Sequence, residues 1–218
     1  VLLYKCDAVH RRNLPEWKAA LTTSGLLGQS KTIPTGWWFF VKLLNMKLLS
    51  EITDQSLGLP GDIEKLNESY RLRKSARAVL LNGNGEMAVQ HLQNHHYHKL
   101  PGGGIDQGES IENALKREIK EEVGCDCNIG HLIGVIIEYR NEQQLIHFSY
   151  CYSATVTGEI GEPALEPDEI EEGQVTVWVK PEEAVRLIET DKPDRYHGHF
   201  ISRREETFVR EFLNRDDT

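Results

Sequence analysis

Residues Gly103 to Cys125 read GGIDQGESIENALKREIKEEVGC, and within them Glu118, Glu121 and Glu122 stand at spacing i, i+3, i+4. On a helix turning about 100° per residue, three carboxylates so placed share one face, and they repel one another unless a cation neutralises them. A divalent cation is the natural partner. Leu115, Ile119 and Val123 form a separate apolar stripe roughly a quarter-turn round the same helix, so one face packs while its neighbour carries charge. Gly102, Gly103 and Gly104 precede this helix. Glycines alone mark a tight turn. Followed by a carboxylate face, they are expected to let the backbone approach a ligand and to set the helix start, with its amides, beside an anionic group.

The 218 residues and 39% hydrophobic content suit one globular domain plus an extension. A formal net charge of -9 argues against nonspecific binding to nucleic acid or an anionic membrane, which needs clustered Lys and Arg. The same acidity repels a polyphosphate, so a substrate of that kind depends on bridging cations and a few local basic residues. Cys6, Cys125, Cys127 and Cys151 make no CxxC pair or repeated spacing, so neither zinc nor disulfides are expected. Cys125 and Cys127 read as small buried apolar side chains. The apolar run Trp37 to Val41 with Leu43 and Leu44 is broken by Lys42 and falls short of the roughly 20 residues of a membrane span. With no convincing signal peptide, a cytoplasmic protein is expected.

Residues 1–45 hold Trp17, Trp37 and Trp38 but no sustained period, and at Met46 the chain changes to an ordinary protein beginning. The expected organisation is an N-terminal extension over 1–45, a linker or short element over 46–69, and a domain over 70–214. One reading places the extension upstream of a natural start at Met46, which the intact mass of the protein made from its native gene decides. The rival reading makes it a genuine element that covers a sheet edge or builds a homodimer through the aromatic patch Trp37 to Phe40.

Within the domain, Ser75 to Asn82 and Glu86 to Leu92 read as strands joined by the turn Asn82 to Gly85. Tyr97 to Leu100 leads into Pro101 and the glycines, and a helix runs from its cap Ser110 to Val123, ended by Gly124. Ile129 to Arg140 and Leu145 to Thr157 should pair as an antiparallel hairpin. A strand over Gln174 to Val179, a helix over Pro181 to Glu189 and an amphipathic helix over Ser202 to Asn214, with Phe208, Val209 and Phe212 inward, complete an α/β arrangement.

The stretch that opens at Gly103 resembles the signature of the Nudix hydrolases, GX5EX7REUXEEXGU with U apolar. Gly103, Glu109, Arg117, Glu118, Ile119, Glu121, Glu122 and Gly124 all match, and Cys125 in the last apolar slot is the soft departure. The resemblance implies an α/β/α sandwich around a mixed β-sheet over roughly 70 to 214. It also implies hydrolysis of the pyrophosphate linkage in a nucleoside diphosphate joined to another group, with Mg2+ as cofactor and Mn2+ as substitute. Glu118 and Glu122 match metal-ligand positions, Glu121 is a third ligand or the general base, and Glu109 with Arg117 supports the helix and its loop. In this family the base or an extra metal ligand often comes from a loop outside the signature. Glu169, among Glu166, Asp168, Glu171 and Glu172 in LEPDEIEEG, is the candidate, against a plain solvated acidic loop.

His98 stands two residues before the LPGG stretch that begins at Leu100, where many family members carry an aromatic residue near substrate, so His98 or its neighbour Tyr97 is a candidate ligand contact. His91, His95, His96 and His98 lack a zinc pattern. Arg203 and Arg204 are expected to solvate the last helix rather than to meet phosphate. A small nucleotide, a nucleoside triphosphate or an oxidised form of one, is the expected substrate. ADP-ribose or a nucleotide sugar is the alternative, and a noncatalytic nucleotide-sensing domain is the alternative of another class.

Overall fold

The computed structural model describes residues 47–61 and 70–216. The expected extension 1–45, with its aromatic patch, lies outside the described residues, as do residues 62–69. The described elements are β1 Leu48–Thr53, β2 Arg71–Leu81, β3 Met87–Leu92, β4 Tyr97–Lys99, α1 Ile111–Val123, β5 Asp126–Arg140, β6 Leu145–Thr157, α2 Pro167–Glu171, β7 Gln174–Val179, α3 Pro181–Glu189 and α4 Tyr196–Asp216. No helix among the described residues is long and apolar enough to cross a membrane.

The strands form one mixed sheet in the order β1-β5-β6-β2-β3-β4, with β7 on the other side of β3. β1 with β5 and β2 with β6 run parallel, and the remaining pairs are antiparallel. Strands β2 and β3 meet only beside their turn, at Leu81 and Met87. The chain after β4 takes the place along β2 that β3 leaves. Ala78 N donates to Pro101 O, Ala76 N to Gly103 O and Ile105 N to Lys74 O, at 3.0, 3.0 and 3.1 Å. The glycine turn is thereby stitched to the middle of the sheet.

Alternation along β2 separates two cores. Ala76, Ala78 and Leu80 face Leu115, Ile119, Val123, Cys125 and Cys127 on one side, and the small alanines let α1 sit close to the sheet. Val79 faces α3 and α4 on the other side, among Ile188, Phe200, Phe208, Val209 and Phe212. Helices thus cover both sheet faces in a mixed α/β fold.

In the segment read as linker or short element, β1 pairs with β5 and buries Ile52. Two elements depart from the sequence reading. α4 begins at Tyr196 rather than Ser202. Gly198 obscures that start: a Cβ there would lie 2.6 Å from Pro193 and 3.2 Å from the Tyr97 ring, so packing demands glycine where helix propensity disfavours it. The acidic segment read as a loop contains α2, with Pro167 in its first turn and a capping box between Glu166 and Glu169.

Arg204 corrects another expectation, because it is wholly buried rather than solvating α4. Its Nη1 donates to Glu138 Oε1 at 3.0 Å, and its Nε and Nη2 donate to Glu205 Oε1. Arg140 donates twice to Glu138 Oε2, and His147 bridges Glu138 and Ser75. Glu138 therefore ties α4 to β5 and β6, and burial of such a network makes loss of one member costly, about 3–5 kcal/mol. Burial, against the pull of Glu138, pushes the His147 imidazole down to about 4 from 6.5. Between these values the unfolded chain binds a proton that the folded chain refuses, so stability is flat above 6.5 and falls as pH drops towards 4. The loss attributable to His147 is about 3 kcal/mol across that window. Urea unfolding at a series of pH values should show a shallower acid decline in His147→Gln than in the parent; equal slopes would contradict the assignment.

Candidate active site

Helix α1 is capped by Ser110, whose Oγ accepts from Asn113 N at 3.2 Å, and it ends at Gly124 in the left-handed region with φ 78°. Its buried stripe is the one the sequence indicates. The loop 105–109 reverses the chain, so α1 runs back past the glycine turn. The turn therefore meets the last two turns of the helix instead of setting the helix start, with its amides, beside a ligand. Gly102 N donates to Glu122 Oε2 at 2.6 Å, and a Cβ on Gly103 would lie 2.3 Å from the Glu118 carboxyl carbon.

Glu122 is buried, 1% exposed, and its carboxylate meets three donors. Besides Gly102, Lys99 Nζ lies 3.0 Å from Oε1 and Gln174 Nε2 donates to the same oxygen at 3.3 Å. Its main-chain carbonyl accepts from Gln90 and Thr176. Burial opposes ionisation here, but Lys99, Arg77 and the Gly102 amide outweigh it and hold the carboxyl below the usual range. Glu118 behaves in the opposite way: burial, then the charge of Glu122, raises it against Arg117 and Arg77. Two carboxylates on successive turns thus compete for too little positive charge, as like-charged neighbours do.

Arg117 organises the outer part of the face. It donates to both oxygens of Glu109 at 3.1 Å, to Glu118 at 2.8 Å, to Glu121 at 3.2 Å and to Gly104 O at 3.1 Å. The Arg117 hydrogen bond, then the Asp106 amide, holds Glu109 below the usual carboxylate range. Loop and helix are locked together through one guanidinium. Glu169, from α2, is brought next to Glu122. Burial first, and the nearness of Glu122, push it up to about 7, although its carboxylate accepts from Glu166 N at 2.8 Å.

His98 is not brought to this cluster. Its neighbour Lys99 reaches Glu122, whereas both oxygens of Asp191 bind His98, at the main-chain N and at Nδ1, each at 2.7 Å. The His98 ring stacks on His91 at 4.3 Å between centroids. Alternation along β4 explains the difference, since successive side chains leave opposite faces. Tyr97 is also buried, against Gly198. Lys99 and Gln174, which the sequence reading did not single out, complete the surroundings of Glu122. Among the described residues no three His, Cys, Asp or Glu side chains converge as a ready metal cage. Lys99 is bound to Glu122, and Arg117 bridges Glu118 and Glu121.

The two central glycines should separate folding from site geometry. At Gly102, φ is 127° and a Cβ would lie 2.2 Å from Ala76 O, so Gly102→Ala should lower stability by roughly 2–4 kcal/mol in urea unfolding. At Gly103 the obstacle is the flexible end of Glu118, so Gly103→Ala should change stability by less than about 1 kcal/mol. It should nevertheless weaken Mn2+ binding, followed by electron paramagnetic resonance, by about tenfold or more. Unaltered Mn2+ binding in folded Gly103→Ala would count against a site at Glu118.

A family model described as NUDIX domain matches residues 71–200. Over 104 residues the chain is 33% identical to diphosphoinositol polyphosphate phosphohydrolase 2 of Rattus norvegicus, covering 48% of this chain and 53% of that protein. It is 30% identical over 104 residues to diphosphoinositol polyphosphate phosphohydrolase 3-beta of Homo sapiens, covering 48% and 58% respectively. The chain spans about half the length of the curated relatives it matches. A NUDIX hydrolase from Nitrosomonas europaea aligns in structure at 15% identity with a TM-score of 0.49, covering 66% of this chain and 90% of that one. With more than half of its residues matched by the family model, the chain belongs to the NUDIX family.

Proposed function

We propose that this chain is a divalent-metal-dependent hydrolase that splits the pyrophosphate linkage of a small phosphorylated molecule, a nucleoside triphosphate or an oxidised nucleotide in the first instance. The observation that carries this reading is the meeting of Glu118 and Glu122 at the Gly102–Gly103 turn, with Glu169 set against Glu122. The donor set is carboxylate oxygen, which suits a hard cation, and a raised Glu118 beside an ionised Glu122 marks a place where positive charge is short. Mg2+ fits, since it keeps several waters and needs few protein ligands. Glu118 and Glu122 would hold it, with Glu121 as a further ligand once released from Arg117. A divalent ion held by these carboxylates would supply neutralisation of phosphoryl charge and a more acidic water.

The protein's own part is positioning and proton transfer. Glu169, lifted to about 7, takes a proton from the attacking water near neutral pH, and Glu121 is the other candidate for that role. Glu109 and Arg117 fix the loop and helix so that the carboxylates stay within reach of one ligand. The turn Gly102, Gly103 and Gly104 lets the substrate's phosphates approach the backbone. A second reading, a diphosphoinositol polyphosphate as substrate, is favoured by the names of the relatives matched over 104 residues.

A panel of nucleoside triphosphates, oxidised nucleotides, ADP-ribose, dinucleoside polyphosphates and a diphosphoinositol polyphosphate, assayed with Mg2+ and with products identified, tests the proposal. Cleavage at a phosphoanhydride is expected, abolished by chelator and restored by Mg2+ or Mn2+. Tight binding without cleavage would replace the enzyme with a nucleotide sensor. Glu122→Gln should keep the fold while lowering kcat by about 100-fold or more, and Glu169→Gln by about tenfold or more. Near-normal turnover in Glu122→Gln, with ordinary Mg2+ dependence, would remove the assigned site.

A further inference from the structure

The ionic layer beneath α4 is out of balance. Arg77, Arg140 and Arg204 are buried there with Glu138 and Glu205. Burial pushes His147 down to about 4, so it contributes no charge at neutral pH. Among these described residues one positive charge is left over, and the hydrogen bonds identify its owner. Arg140 and Arg204 are engaged with Glu138 and Glu205. Arg77 is not: its Nε and Nη1 are buried without a hydrogen-bond partner. Glu205 Oε1 stands 4.0 Å from Nε and is already occupied by Arg204, while Glu205 Oε2 accepts nothing.

A buried guanidinium whose nearest carboxylate, Glu205, makes no hydrogen bond to it is costly, and a neutral water satisfies its N–H groups without balancing its charge. Glu122 and Glu118 favour the charge of Arg77, but both belong to the carboxylate face and Glu122 already has Lys99. The position of Arg77 is also telling. It lies in β2 between Ala76 and Ala78, whose amides bind Gly103 O and Pro101 O, so its backbone runs directly beneath the glycine turn. The side chain leaves β2 on the face opposite to Ala76 and Ala78, and 8% of it reaches the surface while Nε and Nη1 stay buried, so an anion that met them would be buried with them.

We infer that Arg77 is an anion-binding, specificity-determining residue, whose free N–H groups receive a phosphate of the substrate beneath the glycine turn. The inference deepens the proposed phosphoanhydride hydrolysis and rests on it. A pyrophosphate bridge has a phosphate on each side of the bond. The carboxylate face with its cation serves one, and Arg77 serves the other through paired N–H donors suited to a phosphate edge. Substrates lacking a charged group on that side are selected against, because they leave the guanidinium unpaired.

Inorganic phosphate is the probe, titrated into the full chain in chelator with ionic strength held constant by NaCl, and the melting temperature is read. Phosphate should raise the melting temperature of the parent by about 2–4 °C. Arg77→Met should be at least as stable as the parent without phosphate, because an apolar chain of similar length replaces an unbalanced buried charge. It should also lose the phosphate shift, while Arg77→Lys keeps part of it. The inference is overturned if phosphate leaves the parent unmoved or if the shift survives in Arg77→Met. It also fails if Arg77→Met is less stable than the parent without phosphate, which makes Arg77 a structural partner of Glu205. On whichever compound of the panel is cleaved, Arg77→Met should raise KM about tenfold or more with kcat within about threefold. Unchanged KM removes the assignment to substrate and leaves a free-phosphate site. If nothing is cleaved, the hydrolase proposal fails by itself while the melting arm still decides the anion site.

Discussion

The hydrogen bond from Gly102 N to Glu122 Oε2, 2.6 Å long and buried, joins the three parts on which the site depends. It fastens the end of α1 to the glycine turn, and the turn is stitched to β2 through Pro101 O and Gly103 O. The same carboxylate gathers Lys99 from β4 and Gln174 from β7, so one side chain reports the register of helix, turn and two strands. Such a bond requires a backbone without a Cβ at position 102, since the space is taken by Ala76 O. Charge-assisted hydrogen bonds are the strong ones, and here several converge on a group that burial alone would neutralise.

Charge is distributed in layers around that point. Arg117 supplies the outer layer, holding Glu109, Glu118 and Glu121 in partly exposed surroundings. Lys99 supplies the middle layer at Glu122. Beneath the sheet, Glu138 gathers Arg140, Arg204 and His147, which fixes α4 and leaves Arg77 4.0 Å from Glu205 with Nε and Nη1 unbonded. A net acidic chain can therefore present positive charge locally where a phosphorylated ligand would lie, without a basic exterior.

What the sequence made legible follows from which interactions are local. The signature helix was readable because its carboxylate spacing, apolar stripe and Ser110 cap all lie within one short segment. Lys99 was not, since a lone lysine in a short strand reads as solvated until β3 and β4 bring it over α1. Arg77 lies in a stretch that reads as a strand, but its burial follows only from the helices that cover both faces of this sheet. A signal for Arg204 was present but unused: Phe200, Arg204, Phe208 and Phe212 recur every four residues, one inward stripe of α4. The pattern E-P-D-E at Glu166 to Glu169 likewise carried the capping box of α2. His98 shows the converse, a residue whose place beside the glycine turn in sequence is undone by the alternation of β4.

Family membership narrows the chemistry without choosing the substrate, since function resides in the particular groups a fold presents. The weight of the functional reading rests on Glu118 and Glu122 accepting a cation in place of the lysine and arginine that now hold them. Anomalous diffraction from a crystal soaked in Mn2+ tests this most directly. Manganese between the Glu118 and Glu122 carboxylates, beside Gly103 and with Lys99 displaced, is the expected result. Manganese bound elsewhere, with Lys99 still on Glu122, would contradict it.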